Sequence, residues 1–144
     1  MVPGFFHSYS KKRLVLEKIF NPISDLYEFK FMVINHDIKL CLLNYFRGGK
    51  SLGIYFDKDF NLLQSNDKEN LSLNIFKKEK IDEMKLLAIK LSEDFPNFIR
   101  VDLYLFHDNI YLSDLNFDSH SGMPILTNIK YFNDEMKKWK RIDY

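Results

Sequence analysis

"IRVDLYLFHDNIYLSDLNF", residues 99–117, joins two apolar runs through a polar centre, and its reading decides the fold. Side chains of a strand point alternately to opposite faces. Ile99, Val101, Leu103 and Leu105 therefore share one face, and Arg100, Asp102, Tyr104 and Phe106 the other. Along the second run, Ile110, Leu112, Asp114 and Asn116 fall opposite Tyr111, Ser113, Leu115 and Phe117. The stretch predicts a hairpin whose loop length decides whether its acids meet. A three-residue loop, His107-Asp108-Asn109, pairs Phe106 with Ile110 and Asp102 with Asp114. A two-residue loop, Asp108-Asn109, pairs Asp102 with Leu115 and separates the acids.

Opposed carboxylates, with side chains about 5 Å apart, destabilise a sheet. A shared proton with a raised pKa relieves the repulsion. So does a divalent cation, which oxygen-rich Asp/Asn sets suit. The third reading is an edge hairpin whose acids point to water. Spacing alone leaves all three open.

Upstream, "EKIDEMKLLAIKLSEDF" (79–95) predicts a helix. Ile81, Met84, Ala88, Leu91 and Phe95 form one apolar stripe at three- and four-residue spacing. Lys80, Glu83, Lys90 and Glu93 occupy the other face, and Pro96 bounds the element. Further back, "DLYEFKFMVIN" (25–35) and "IKLCLLNYF" (38–46) read as a hairpin around Asn35-His36-Asp37. "RGGKS" (47–51) reads as a flexible connector, and "LGIYFDKDFNLL" (52–63) as a further strand and turn. "RLVLEKIF" (13–20) is a short β-rich run ended by Asn21-Pro22, and "NDEMKKWKRIDY" (133–144) predicts a terminal helix with Met136 and Trp139 inward. The expected class is α+β, a mainly antiparallel sheet with packed helices in a single domain, residues 1–144.

Composition agrees with a folded domain. Apolar residues make up 46% of the 144 and aromatics 16%, enough for a sizeable core. A net charge of +1 without a basic block gives no electrostatic reason to bind nucleic acid. The single cysteine, Cys41, excludes an intramolecular disulfide, and its apolar neighbours predict a buried small side chain. No run approaches the length of a membrane span and the N-terminus does not read as a signal peptide, so a cytoplasmic location is expected.

The segment "LAIKLSEDFPNFIRVDLYLFHDNIYLSDLNFDSHSG" resembles the C-terminal part of the ATP-grasp superfamily, most closely the TupA-like branch associated with teichuronopeptide and other cell-surface polysaccharide genes. The resemblance rests on Arg100-Val101-Asp102-Leu103-Tyr104 followed by Asp114-Leu115-Asn116. "RLVLEKIF", "YEFKFMVINHDIKLC" and "YFDKDFNLL" continue it in the family's order, over about residues 13–125.

The resemblance implies a Mg-ATP-dependent carboxylate–amine ligase module working through an acyl phosphate. Asp102, Asp114 and Asn116 would hold Mg2+ bridging the nucleotide phosphates. Glu17 and the backbone of Lys18, Ile19 and Phe20 would meet the adenine, and Glu28 the ribose. Lys30 and Arg47 would face phosphate or the acyl intermediate, and Arg100 would contact substrate or phosphate or, without metal, pair with the neighbouring acids. The implied partners are ATP and an amino acid or saccharide-linked substrate. Two positions depart from the family: Asp114 stands where relatives carry Glu, and Ser119-His120-Ser121-Gly122 where they read Pro-Gly-Ser-Gly. Residues 1–12 offer no counterpart of the family's glycine-rich loop. The expectation is therefore a truncated C-terminal half, whose other half is a separate chain, a neighbouring gene product or part of a longer parent chain. The alternative is a non-catalytic remnant or a nucleotide-binding or interaction module.

Overall fold

A computed structural model describes residues 26–68 and 71–117. The first strands are β1 (Tyr27–Ile34) and β2 (Asp37–Arg47), which close on Asn35 and His36, both with positive φ. That is a two-residue turn with Ile34 opposite Asp37, one residue tighter than the sequence suggested. Its mirror-image geometry matches the right-handed twist of the strands. β3 (Lys50–Asp57) follows without any flexible connector. Gly48 and Gly49, at φ +58° and +73°, make another tight turn that pairs Arg47 with Lys50. Two successive left-handed residues are costly for any side chain with a Cβ, so the glycine pair here specifies a hairpin.

β4 (Leu62–Ser65) returns from β3 through a turn organised by Asp57. The Asp57 carboxylate accepts hydrogen bonds from the Asp59 and Asn61 amides at 2.9 and 2.8 Å and from the Asn61 side chain at 2.9 Å. A short 3-10 turn, Leu73–Ile75, leads into α1 (Lys78–Leu91). The helix ends four residues earlier than its apolar stripe predicted. Ser92 turns its hydroxyl onto the Ile89 carbonyl at 2.6 Å, and the chain leaves the axis there. Phe95 consequently lies outside the helix, its ring against Phe117 at 4.7 Å between centroids.

β5 (Phe98–Phe106) and β6 (Asn109–Asn116) complete one antiparallel sheet of order β4-β3-β2-β1-β5-β6. The observed class is α+β, as expected. One face carries the main core, with Phe29, Phe31, Cys41, Leu43, Ile99, Val101 and Leu103 fully buried under Met84 and Ala88 of α1. Each such large apolar side chain is worth about 1.5–3 kcal/mol on burial. Cys41 is the small buried residue expected of it, and burial pushes its thiol pKa up. A second cluster, Met32, Leu40, Leu42 and Tyr55, packs on the opposite face. The expected strand at 13–20 and helix at 133–144, with Met136 and Trp139, lie outside the described residues. Among the described residues no helix is long and apolar enough to cross a membrane.

Candidate functional site

The β5–β6 hairpin closes on His107 and Asp108, both at positive φ, so neither predicted loop forms. From that turn Leu105 pairs with Ile110, Tyr104 with Tyr111 and Leu103 with Leu112. A regular ladder would next set Asp102 against Ser113. Instead Ser113 is an extra residue, a β-bulge, and Asp102 pairs with Asp114. The bulge also resets the alternation. Ile110, Leu112 and Leu115 all pack on the main core, while Asp114 and Asn116 sit across from Asp102 and Arg100 on the opposite face.

Three strands thus bring their polar residues to one region of that face. Lys30 of β1 lies across from Asp102 of β5, and Glu28 across from Tyr104. On the other side of β1, Asn44 of β2 lies across from Glu28. The side chains are joined in sequence. Asn44 Nδ2 donates to Glu28 Oε2 at 3.4 Å, and Lys30 Nζ sits 3.1 Å from Glu28 Oε1. Lys30 Nζ also donates to Asp102 Oδ2 at 3.0 Å. Arg100 grips the same carboxylate with two bonds of 2.8 Å, Nε to Oδ1 and Nη2 to Oδ2.

Asp102 is 2% exposed at its side chain, Arg100 8% and Lys30 17%. An unpaired carboxylate at that depth would be expensive, and two cations supply the compensation. Asp114 is half-buried, and its Oδ1 accepts the Leu115 amide at 3.0 Å.

Mg2+ takes oxygen ligands, commonly one or two carboxylates together with substrate phosphates and water. Two opposed carboxylates and the neighbouring Asn116 carboxamide fit that mode. They do not make an all-protein cage: among the described residues no group of three or more His, Cys, Asp and Glu is placed to hold a metal. Lys30 and Arg100 add positive charge beside the acids, suited to an incoming polyphosphate.

Arg47 is not part of this constellation. It follows Tyr45, whose side chain lies in the main core, and its guanidinium bonds the buried Asp67 and sits 5.9 Å from the Tyr45 ring centre. Asp67 also accepts from the Tyr45 hydroxyl, and from the Leu71 amide at 2.9 Å. Burial, then the bond to Asp67, pushes the Tyr45 phenol well above its ordinary pKa. Glu17, Lys18, Ile19 and Phe20, expected at the adenine, lie outside the described residues, as do residues 119–122.

Asn44 was missed by the sequence reading. Its signal was a lone amide inside the apolar run of β2, which becomes meaningful only once β2 is registered against Glu28.

The family model described as TupA-like ATPgrasp matches residues 6–138, nearly the whole chain. No curated protein and no solved structure matches the chain significantly. The chain belongs to the TupA-like ATP-grasp family.

Proposed function

We propose that this TupA-like ATP-grasp chain is a carboxylate–amine ligase module that uses Mg-ATP in building cell-surface polysaccharides of the teichuronopeptide kind. The observation that carries the proposal is the pairing of Asp102 with Asp114, with Arg100 and Lys30 beside them on one face. Residues 1–144 form one domain in this reading, the counterpart of a C-terminal ATP-grasp subdomain.

Asp102, Asp114 and Asn116 would hold Mg2+, which neutralises charge on the transferring phosphoryl group when bound. Arg100 and Lys30 present their cationic nitrogens to the phosphate oxygens and, later, to the acyl phosphate. Glu28, held by Asn44, offers an acceptor for a ribose hydroxyl. In this reading Glu17 and the backbone of Lys18, Ile19 and Phe20 would meet the adenine. A substrate carboxylate oxygen attacks the γ-phosphorus of ATP and ADP leaves. An amine nitrogen then attacks the acyl carbon and gives up a proton to solvent, and inorganic phosphate departs with the electron pair of the C–O bond. The carboxylate and amine belong to an amino acid and a saccharide-linked carrier.

The saturation of Asp102 by Arg100 and Lys30 favours a second reading, a nucleotide-binding or interaction module in which these charges only stabilise the sheet. Calorimetric titration with ATP separates the two. Binding that requires Mg2+ supports the ligase module; ATP binding indifferent to Mg2+, or none, supports the second.

A further inference from the structure

We propose that Lys30 is a built-in competitor of the metal at Asp102, so that a divalent cation binds well only together with a polyphosphate. The inference rests on the assignment of Asp102, Asp114 and Asn116 as metal ligands. Asp102 Oδ2 receives both Lys30 Nζ at 3.0 Å and Arg100 Nη2 at 2.8 Å, and Oδ1 receives Arg100 Nε at 2.8 Å. A carboxylate has about four lone-pair positions, so three are already occupied. A metal ion approaching Asp102 must displace a donor or lie against a cation.

The two cations are not equally held. Arg100 binds through a bidentate fork from the same strand, two residues away, a geometry that is strong and rigid. Lys30 makes a single contact from the neighbouring strand and has a second anion within reach, Glu28 Oε1 at 3.1 Å. Glu28 is in turn steadied by Asn44. Lys30 therefore leaves Asp102 without becoming an uncompensated buried charge. A polyphosphate arriving with the metal gives its ammonium another partner and removes the competition. By linkage, metal and polyphosphate then strengthen each other's binding by the same factor. Lys30 thus acts as a positioning residue that couples metal entry to the nucleotide.

The test uses Mn2+ alone, titrated calorimetrically into the wild-type chain, Lys30→Met, Lys30→Gln and Lys30→Arg. Loss of the charge is expected to tighten Mn2+ binding about fivefold or more, a coupling of ordinary size. Lys30→Arg, which keeps the charge, stays near wild type. Lys30→Gln retains a donor and stands in for Lys30→Met should that variant fail to fold. Mn2+ binding that is unchanged or weaker in the uncharged variants overturns the competition and leaves the metal-site assignment standing. Absence of Mn2+ binding in every folded variant overturns both.

Discussion

Asp102 of β5 lies directly across from Asp114 of β6 because Ser113 is bulged out of the ladder between them and the turn. Deleting Ser113 removes the extra residue and restores a regular ladder. Asp114 then takes the place that a regular ladder sets against Asp102, and Leu115 and Asn116 keep their faces. The deletion variant is expected to melt close to wild type and to keep any metal-dependent ligand binding, whereas deleting a residue from an unbulged strand would flip every following side chain. A variant that melts many degrees lower, or loses that binding, would contradict the register.

Asp102 and Asp114 are predicted to respond differently to removal. Asp102→Ala strips a buried carboxylate from Arg100 and Lys30, and leaving buried cations without their counter-ion costs about 3 kcal/mol. Asp114→Ala instead relieves a like-charge pair on facing strands. In metal-free buffer its melting temperature is expected to stay at or above that of wild type, while metal-dependent binding disappears. Denaturant titration of both variants gives the comparison.

Gly49 marks a turn whose cost is purely conformational. A Cβ there meets nothing within 4 Å, but φ is +73°. Gly49→Ala is expected to destabilise by about 1–2 kcal/mol through backbone strain. Gly49→Asn recovers part of the loss, because Asn tolerates the left-handed region better. Equal stability of all three would show that the β2–β3 connection is loose after all.

Acid sensitivity is expected at the β3–β4 turn. Burial acts to raise the Asp57 carboxyl pKa, but the hydrogen bonds from the Asn61 side chain and amide and from the Asp59 amide outweigh it, with help from Lys58, so it lies below its ordinary value. A depressed folded-state pKa contributes stability above the unfolded value near 3.8, lost as pH falls through the folded value. The penalty of Asp57→Ala is therefore largest at neutral pH, about 1 kcal/mol, and shrinks below about pH 4. A penalty independent of pH down to pH 2 would remove the carboxylate from the account.

The sheet was readable where alternation is regular. Ile99, Val101, Leu103 and Leu105 face the core as their spacing indicated, and Met84 and Ala88 anchor the helix face. Turns and bulges were not readable for a physical reason. Leu112-Ser113-Asp114 looks like uninterrupted alternation, and only the partner strand reveals that one residue is extra. Asn35-His36 and His107-Asp108 contain no glycine, yet all four residues adopt positive φ once the hairpins close. Gly48-Gly49 looked flexible in isolation, although paired strands on both sides make it the tightest kind of connection. Within the candidate site, Asp102, Asp114, Asn116, Lys30, Glu28 and Arg100 share the opposite side of the sheet. Arg47 does not join them, because Asp67, 20 positions away in sequence, holds its guanidinium. Such distant pairings are invisible to a local pattern.

The most direct measurement is a side-by-side calorimetric titration of Mg-ATP into the wild-type chain and Asp114→Ala. A saturable wild-type heat that requires Mg2+ and vanishes in a stably folded Asp114→Ala is the predicted result. Identical heats in the two proteins, or none in wild type, would contradict a magnesium site built on the opposed aspartates.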